Sequence, residues 1–124
     1  MKKWALAMPV ALATMFIAPG SALAATHIPT DITFDGAAAA GDGTTVFSGH
    51  VESPKSICVY FSLTDLVADG DVVDRGLTSL NGAWAMKTDP TGVTTLQARL
   101  KSYRFGPKGH RKVCDPDTVT IPLG

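Results

Sequence analysis

Apolar positions in this chain follow two regimes. From Trp4 to Ala18 they run for 15 residues without a charge, and from about residue 32 they recur at every second position in short stretches. The second regime is that of half-buried β-strands. No stretch carries a sustained 3.6-residue apolar period with caps. Ile32 and Phe34 open a first strand, and Gly36 to Gly43 (GAAAAGDG) is small and glycine-flanked and reads as a loop. Thr45, Phe47, Gly49 and Val51 then share one face of a strand over Thr44 to Glu52, and Ile57, Val59, Phe61 and Leu63 form the next alternating set.

Turn residues separate these stretches. Asp69-Gly70 marks a reversal. Val72 to Leu80 leads into Asn81-Gly82, a strong hairpin signal because a type I′ turn needs positive φ at both central residues. Ala83 to Lys87 returns with Trp84 and Met86 on one face. Asp89-Pro90-Thr91-Gly92 fits a type I turn. One long strand is expected from Val93 to about Phe105, with Leu96, Ala98 and Leu100 inward, and Val119, Ile121 and Leu123 alternate at the end. About seven strands at this spacing predict an all-β fold, a single antiparallel β-sandwich. A partly open barrel shares the same periodicity.

The first regime reads as an address. Lys2 and Lys3 precede an uncharged run of signal-peptide length, Pro19-Gly20 breaks it, and Ala22-Leu23-Ala24 supplies small residues for a signal peptidase. The run is shorter than the roughly 20 apolar residues of a spanning helix. Residues 1–24 are therefore expected to be a cleaved signal peptide, leaving no transmembrane anchor. Residues 25–43 are expected to be a flexible N-terminal segment around the first strand, and residues 44–124 the sandwich domain. Losing Lys2 and Lys3 takes the basic residues from 11 to nine against 11 acids, a net charge near −2. Some 100 residues suffice for one modest core.

Cys58 and Cys114 are the only cysteines. In an exported chain they are most simply one disulfide. Zinc would need two more ligands, and only His110 stands near either cysteine.

Phe47-Ser48-Gly49-His50-Val51-Glu52-Ser53, then Cys58, Thr88-Asp89 to Gly92, and Cys114 before Thr118-Val119-Thr120-Ile121 resemble small secreted bacterial domains of the immunoglobulin-like and carboxypeptidase-regulatory (transthyretin-like) type. The resemblance implies a sandwich whose disulfide ties an inner strand to the final one. It also implies a non-catalytic module in adhesion, envelope or binding roles. Asn81-Gly82-Ala83-Trp84 sits one hairpin earlier than the Gly-x-Trp often seen after the Thr-Asp turn of such domains.

Candidate chemistry is sparse. No nucleophile elbow, zinc-protease or phosphate-loop motif occurs. His27 is expected to be disordered near the new N-terminus, and His50 to face solvent from a strand. Asp65, Asp69, Asp71 and Asp74 are weak calcium candidates. An EF-hand frame started at Asp65 fails at Val67 and Gly76, and turn chemistry accounts for the Asp-Gly content. The most distinctive feature is basic. Arg99, Lys101, Arg104, Lys108, Arg111 and Lys112, with His110, occupy fourteen positions without an acid, and Tyr103 and Phe105 are interleaved. Tyr103, Arg104, Phe105, Lys108, His110, Arg111 and Lys112 form the candidate binding loop, suited to an anionic partner. The same cations also fit the solvated face of a strand and a polar connector. The expected function is a secreted or periplasmic, non-enzymatic binding or structural module without a cofactor. An anionic envelope component or an acidic protein surface is the expected partner, and nucleic acid is not. The alternatives are a small secreted hydrolase inhibitor and, further off, a hydrolytic enzyme.

Overall fold

The computed structural model describes residues 25–124, so the expected signal peptide lies outside the described residues. Among the described residues no helix is long and apolar enough to cross a membrane. Ten strands run in chain order: β1 (Thr26–Ile28), β2 (Asp31–Ala39), β3 (Thr45–Glu52), β4 (Leu63–Ala68), β5 (Asp71–Leu77), β6 (Ala83–Thr88), β7 (Leu96–Leu100), β8 (Tyr103–Phe105), β9 (Lys112–Cys114) and β10 (Asp117–Ile121). They make three sheets, in the orders β2-β3-β6, β10-β7-β4-β5 and β1-β9-β8. The four-stranded sheet and β2-β3-β6, the two larger sheets because their strands are longer, are antiparallel, and in the three-stranded β1-β9-β8 sheet of short strands β1 runs parallel to β9. The chain is all-β as expected, but the described residues hold ten strands rather than about seven, seven of them in the two larger sheets.

One apolar cluster draws on both larger sheets. Phe47 and Val51 of β3, Trp84 and Met86 of β6, Leu66 of β4, Leu96, Ala98 and Leu100 of β7, and Ile121 of β10 are all buried within it. The period-two reading of β3, β6 and β7 therefore assigned the inward faces correctly, and in β10 Ile121 is buried and Val119 partly so, but Leu123 lies beyond the strand and is exposed. Trp84 lies opposite Gly49 in the β3–β6 register and its indole N–H donates to the Thr33 carbonyl at 3.0 Å. Gly49 is bare for a reason: a Cβ there would collide with the Thr33 carbonyl and lie 2.8 Å from Trp84 Cε2.

Several expectations give way to non-local pairing. Residues 25–43, expected as a flexible segment around a first strand, hold two strands, β1 and β2, and Gly36 to Ala39, expected as loop, pair with Thr45 to Ser48. The alternation at Ile57, Val59, Phe61 and Leu63 is not a strand. It covers a 3₁₀ turn (Ser56–Cys58) and a further bend, and Phe61 is 58 % exposed rather than in the core. The expected strand from Val93 to Phe105 is broken at Lys101-Ser102 and its two parts enter different sheets. Asn81-Gly82 is not a type I′ hairpin. Of the two only Gly82 has positive φ, and the strands on either side belong to different sheets. The type I′ signature is instead at Asp69-Gly70, with φ of 49° and 90°, which closes the β4–β5 hairpin.

Candidate functional site

The basic stretch is a hairpin. β8 and β9 pair antiparallel, with Tyr103 opposite Cys114 and Phe105 opposite Lys112. The connecting turn is closed by the His110 amide donating to the Pro107 carbonyl at 2.9 Å. Gly106 has φ 97°, and a Cβ there would lie 2.7 Å from the His110 carbonyl oxygen, so the turn requires glycine. Alternation along β8 puts Tyr103 and Phe105 on one face, their rings stacked 5.9 Å apart. Arg104 takes the other face.

Two fastenings hold this hairpin. β1 lies along β9, and a disulfide joins Cys114 to Cys58 in the 3₁₀ turn. The bridge was expected, but not its placement. Cys58 is outside any strand and Cys114 is in β9, not the final strand as the resemblance implied. Ile28, Cys58 and Cys114 form a second buried cluster, with Ile57 and Phe105 against it. Arg104, Lys108, His110, Arg111 and Lys112 are all exposed, and none forms an ion pair among the described residues.

The remaining expected residues do not join the hairpin as one site. Arg99 lies in β7 opposite Asp65, and Asp65 is buried on the four-stranded sheet with Arg75 Nε at 3.2 Å and Lys101 Nζ at 3.9 Å. The four aspartates considered for calcium are dispersed. Asp65 is ion-paired, Asp69 accepts the amides of Thr94 and Thr95, Asp74 accepts those of Arg75 and Lys87, and Asp71 is exposed. Among the described residues no three metal-ligating side chains converge. His27, expected to be disordered, sits in β1 with Nδ1 2.6 Å from Asp115 Oδ1, while His50 is exposed as expected and pairs with Asp35. The two clearly shifted carboxyls are in turns away from the hairpin. Thr44 hydroxyl and amide donation lowers Asp42 to about 2, and the Thr91 amide, with its hydroxyl, holds Asp89 below the usual carboxylate range.

Beside the hairpin lies a cleft of about 430 Å³, lined by Ile57, Tyr60, Phe61, Leu63, Leu77 and Tyr103 with Ser62, Lys101 and Ser102. One wall is the bend after the 3₁₀ turn, and the other is the start of the hairpin. Leu63 and Leu77 face each other across β4 and β5, and both are exposed. Phe61 has φ 55°, a left-handed conformation that bulky residues rarely adopt. Thr78 enforces it. Its carbonyl accepts the Phe61 amide at 3.0 Å, its hydroxyl accepts the Ser62 amide at 2.7 Å, and that hydroxyl donates to the Val59 carbonyl at 2.6 Å. The sequence reading identified Tyr103 but missed Tyr60, Phe61, Leu63 and Leu77 as surface. The available signal was Val59-Tyr60-Phe61, three consecutive large apolar residues that no alternating strand can bury together.

Comparison with protein-family models, with curated proteins and with solved structures finds no match for the chain, so its site is read from its own residues.

Proposed function

We propose that the protein is an exported, non-enzymatic binding or structural module of the cell envelope or extracellular space, and that the β8–β9 hairpin is its ligand surface. The observation that carries this reading is the fastened hairpin. Exposed unpaired cations are presented on a ribbon pinned by a disulfide and by β1, which reduces the ordering cost that binding must meet. The disulfide favours an oxidising compartment, and Lys2-Lys3 with Ala22-Leu23-Ala24 favours export. A sandwich of the immunoglobulin-like kind is supported by the shared core of the two larger sheets and by the alternation of β3, β4, β6 and β7 between them. In that arrangement β8–β9 is an insertion between the last two strands of the four-stranded sheet.

The test is retention of an envelope fraction on immobilised mature protein. Replacing Arg104, Lys108, Arg111 and Lys112 together by Ser should leave melting nearly unchanged, because all four are exposed. Retention should be abolished. In the parent it should weaken steeply with salt, as the Debye length shrinks from about 10 Å at 0.1 M to about 3 Å at 1 M. Equal retention by both proteins would make the hairpin a solvated connector. Stoichiometric titration of a protease or glycosidase would identify an inhibitor, and turnover of a substrate would identify an enzyme.

A further inference from the structure

The cleft next to the hairpin has two properties that folding alone does not explain. Phe61 is 58 % exposed and also held in the left-handed region, so neither burial nor backbone preference favours a phenylalanine there. Such an outlier points to function when its surroundings over-determine it, as Thr78 does here. Around it Leu63, Leu77 and Tyr103 are also exposed, which gathers four of the large exposed apolar residues at one place. Lys101 is in the same wall.

We infer that this cleft anchors one bulky apolar side chain of an extended acidic peptide segment, whose carboxylates run along Lys101 and the basic hairpin. The inference rests on the reading of the hairpin as the ligand surface and names the partner. Charge complementarity sets the sign. Arg104, Lys108, Arg111 and Lys112 follow from the cleft along the hairpin and form no ion pair among the described residues, while Lys101, half exposed in the cleft wall, has only a 3.9 Å contact with Asp65, which is held more closely by Arg75; Asp115 is engaged by His27. The spread of charge sets the shape. The cations are strung along the chain, with Lys101 before β8, Arg104 within it and Lys108, Arg111 and Lys112 in the turn and β9, a distribution that suits an extended chain better than one compact headgroup. Among the described residues β8 is an edge strand with no partner on its second side, a geometry to which an extended segment can add. A lipid would leave that edge unused. The volume of the cleft, about 430 Å³, is within the range of small-ligand pockets and suits a single anchored group.

The experiment uses fluorescein-labelled heptapeptides of alternating Glu and Asp with a central Phe, Leu or Ala, titrated by polarisation against the mature, oxidised protein. The Phe and Leu peptides should bind about tenfold or more tighter than the Ala peptide, as expected from burying one large side chain. Two variants test the cleft. Phe61→Asn, which places a residue tolerant of positive φ at this position, and the Leu63→Asn/Leu77→Asn pair should bind all three peptides with one weak, salt-sensitive affinity. Phe61→Asn should melt within a few degrees of the parent or above it. Equal binding of the Phe and Ala peptides by the parent would overturn the anchor while leaving the anionic surface standing. Binding to phosphatidylglycerol vesicles but to none of the peptides would overturn the peptide and assign a lipid. If instead the hairpin quadruple variant binds the Phe peptide as the parent does, the failure is in the hairpin reading itself.

Discussion

Trp84→Ala should destabilise the domain by about 3–5 kcal/mol, the usual cost of deleting a large buried aromatic. Native domains of this size have only about 5–15 kcal/mol in total, so the variant should be largely unfolded at moderate temperature. The side chain is 2 % exposed and belongs to the cluster shared by the two larger sheets. Truncation opens a cavity in that cluster and leaves the Thr33 carbonyl without its indole donor. Gly49→Ala should be comparably harmful for the converse reason, since the added methyl would need space held by the Thr33 carbonyl and the indole ring. Trp84→Phe separates the terms by keeping most of the apolar bulk and losing the hydrogen bond, and it should cost clearly less than the alanine variant. Urea unfolding followed by circular dichroism measures all three. With Trp4 in the segment expected to be removed, Trp84 is the only indole of the mature chain. Its emission in the parent should be that of a buried ring and shift red in one step on unfolding. An alanine variant with the midpoint of the parent would mean that Trp84 is not part of the packed core.

Replacing both cysteines by alanine should have the second large effect. The bridge closes 57 residues of chain, and the loop-entropy account assigns such a closure roughly 4 kcal/mol. At 4–8 °C per kcal/mol for a small domain, the melting temperature should fall on the order of 20 °C. The two clusters predict where order is lost first. Cys58 and Cys114 pack with Ile28, Ile57 and Phe105, apart from the cluster around Trp84. Hydrogen exchange in β1, β8 and β9 should therefore accelerate well below the global transition, while β3 and β7 stay protected. The bridge also ties the 3₁₀ turn on one side of the cleft to the strand opposite Tyr103 on the other, so anchor discrimination should be lost with it. Uniform exchange across all strands, or an unchanged melting temperature, would show that the disulfide constrains the unfolded chain alone or adds nothing.

The candidate surface was half legible from sequence. A run of cations without acids is visible by inspection, and so was the Cys58–Cys114 pairing, because two cysteines permit only one bridge. The cleft was not. Its exposed leucines and Phe61 look identical to core residues in a one-dimensional pattern, since hydrophobicity says that a side chain can be buried and not that it is. Asp65 shows the opposite failure. In sequence it is one of a group of acids, but β4 is central in its sheet, and pairing with β5 and β7 places Arg75 and Arg99 across from it.

By itself the sequence determined what depends on near neighbours. The alternation in β3, β6 and β7 set their inward faces because side chains on a strand alternate by geometry. Asp69-Gly70 sets a reversal because its residues tolerate positive φ, whereas the turn expected over Asp89 to Gly92 closes one residue later, the Val93 amide donating to the Pro90 carbonyl with Gly92 at φ 79° while Asp89 accepts the Thr91 amide. Tertiary structure decided everything that depends on which strand meets which. The Asn81-Gly82 turn passes β6 to the other sheet, because there Trp84 packs over Gly49 and its indole reaches Thr33. The chain breaks at Lys101-Ser102 because the Lys101 amide still donates to Leu63, whereas Tyr103 already pairs with Cys114. Local periodicity carries no information about those partners. They are chosen by burial and hydrogen bonding between residues far apart in the chain, and the cleft exists only where those choices bring the bend at Phe61 beside the hairpin.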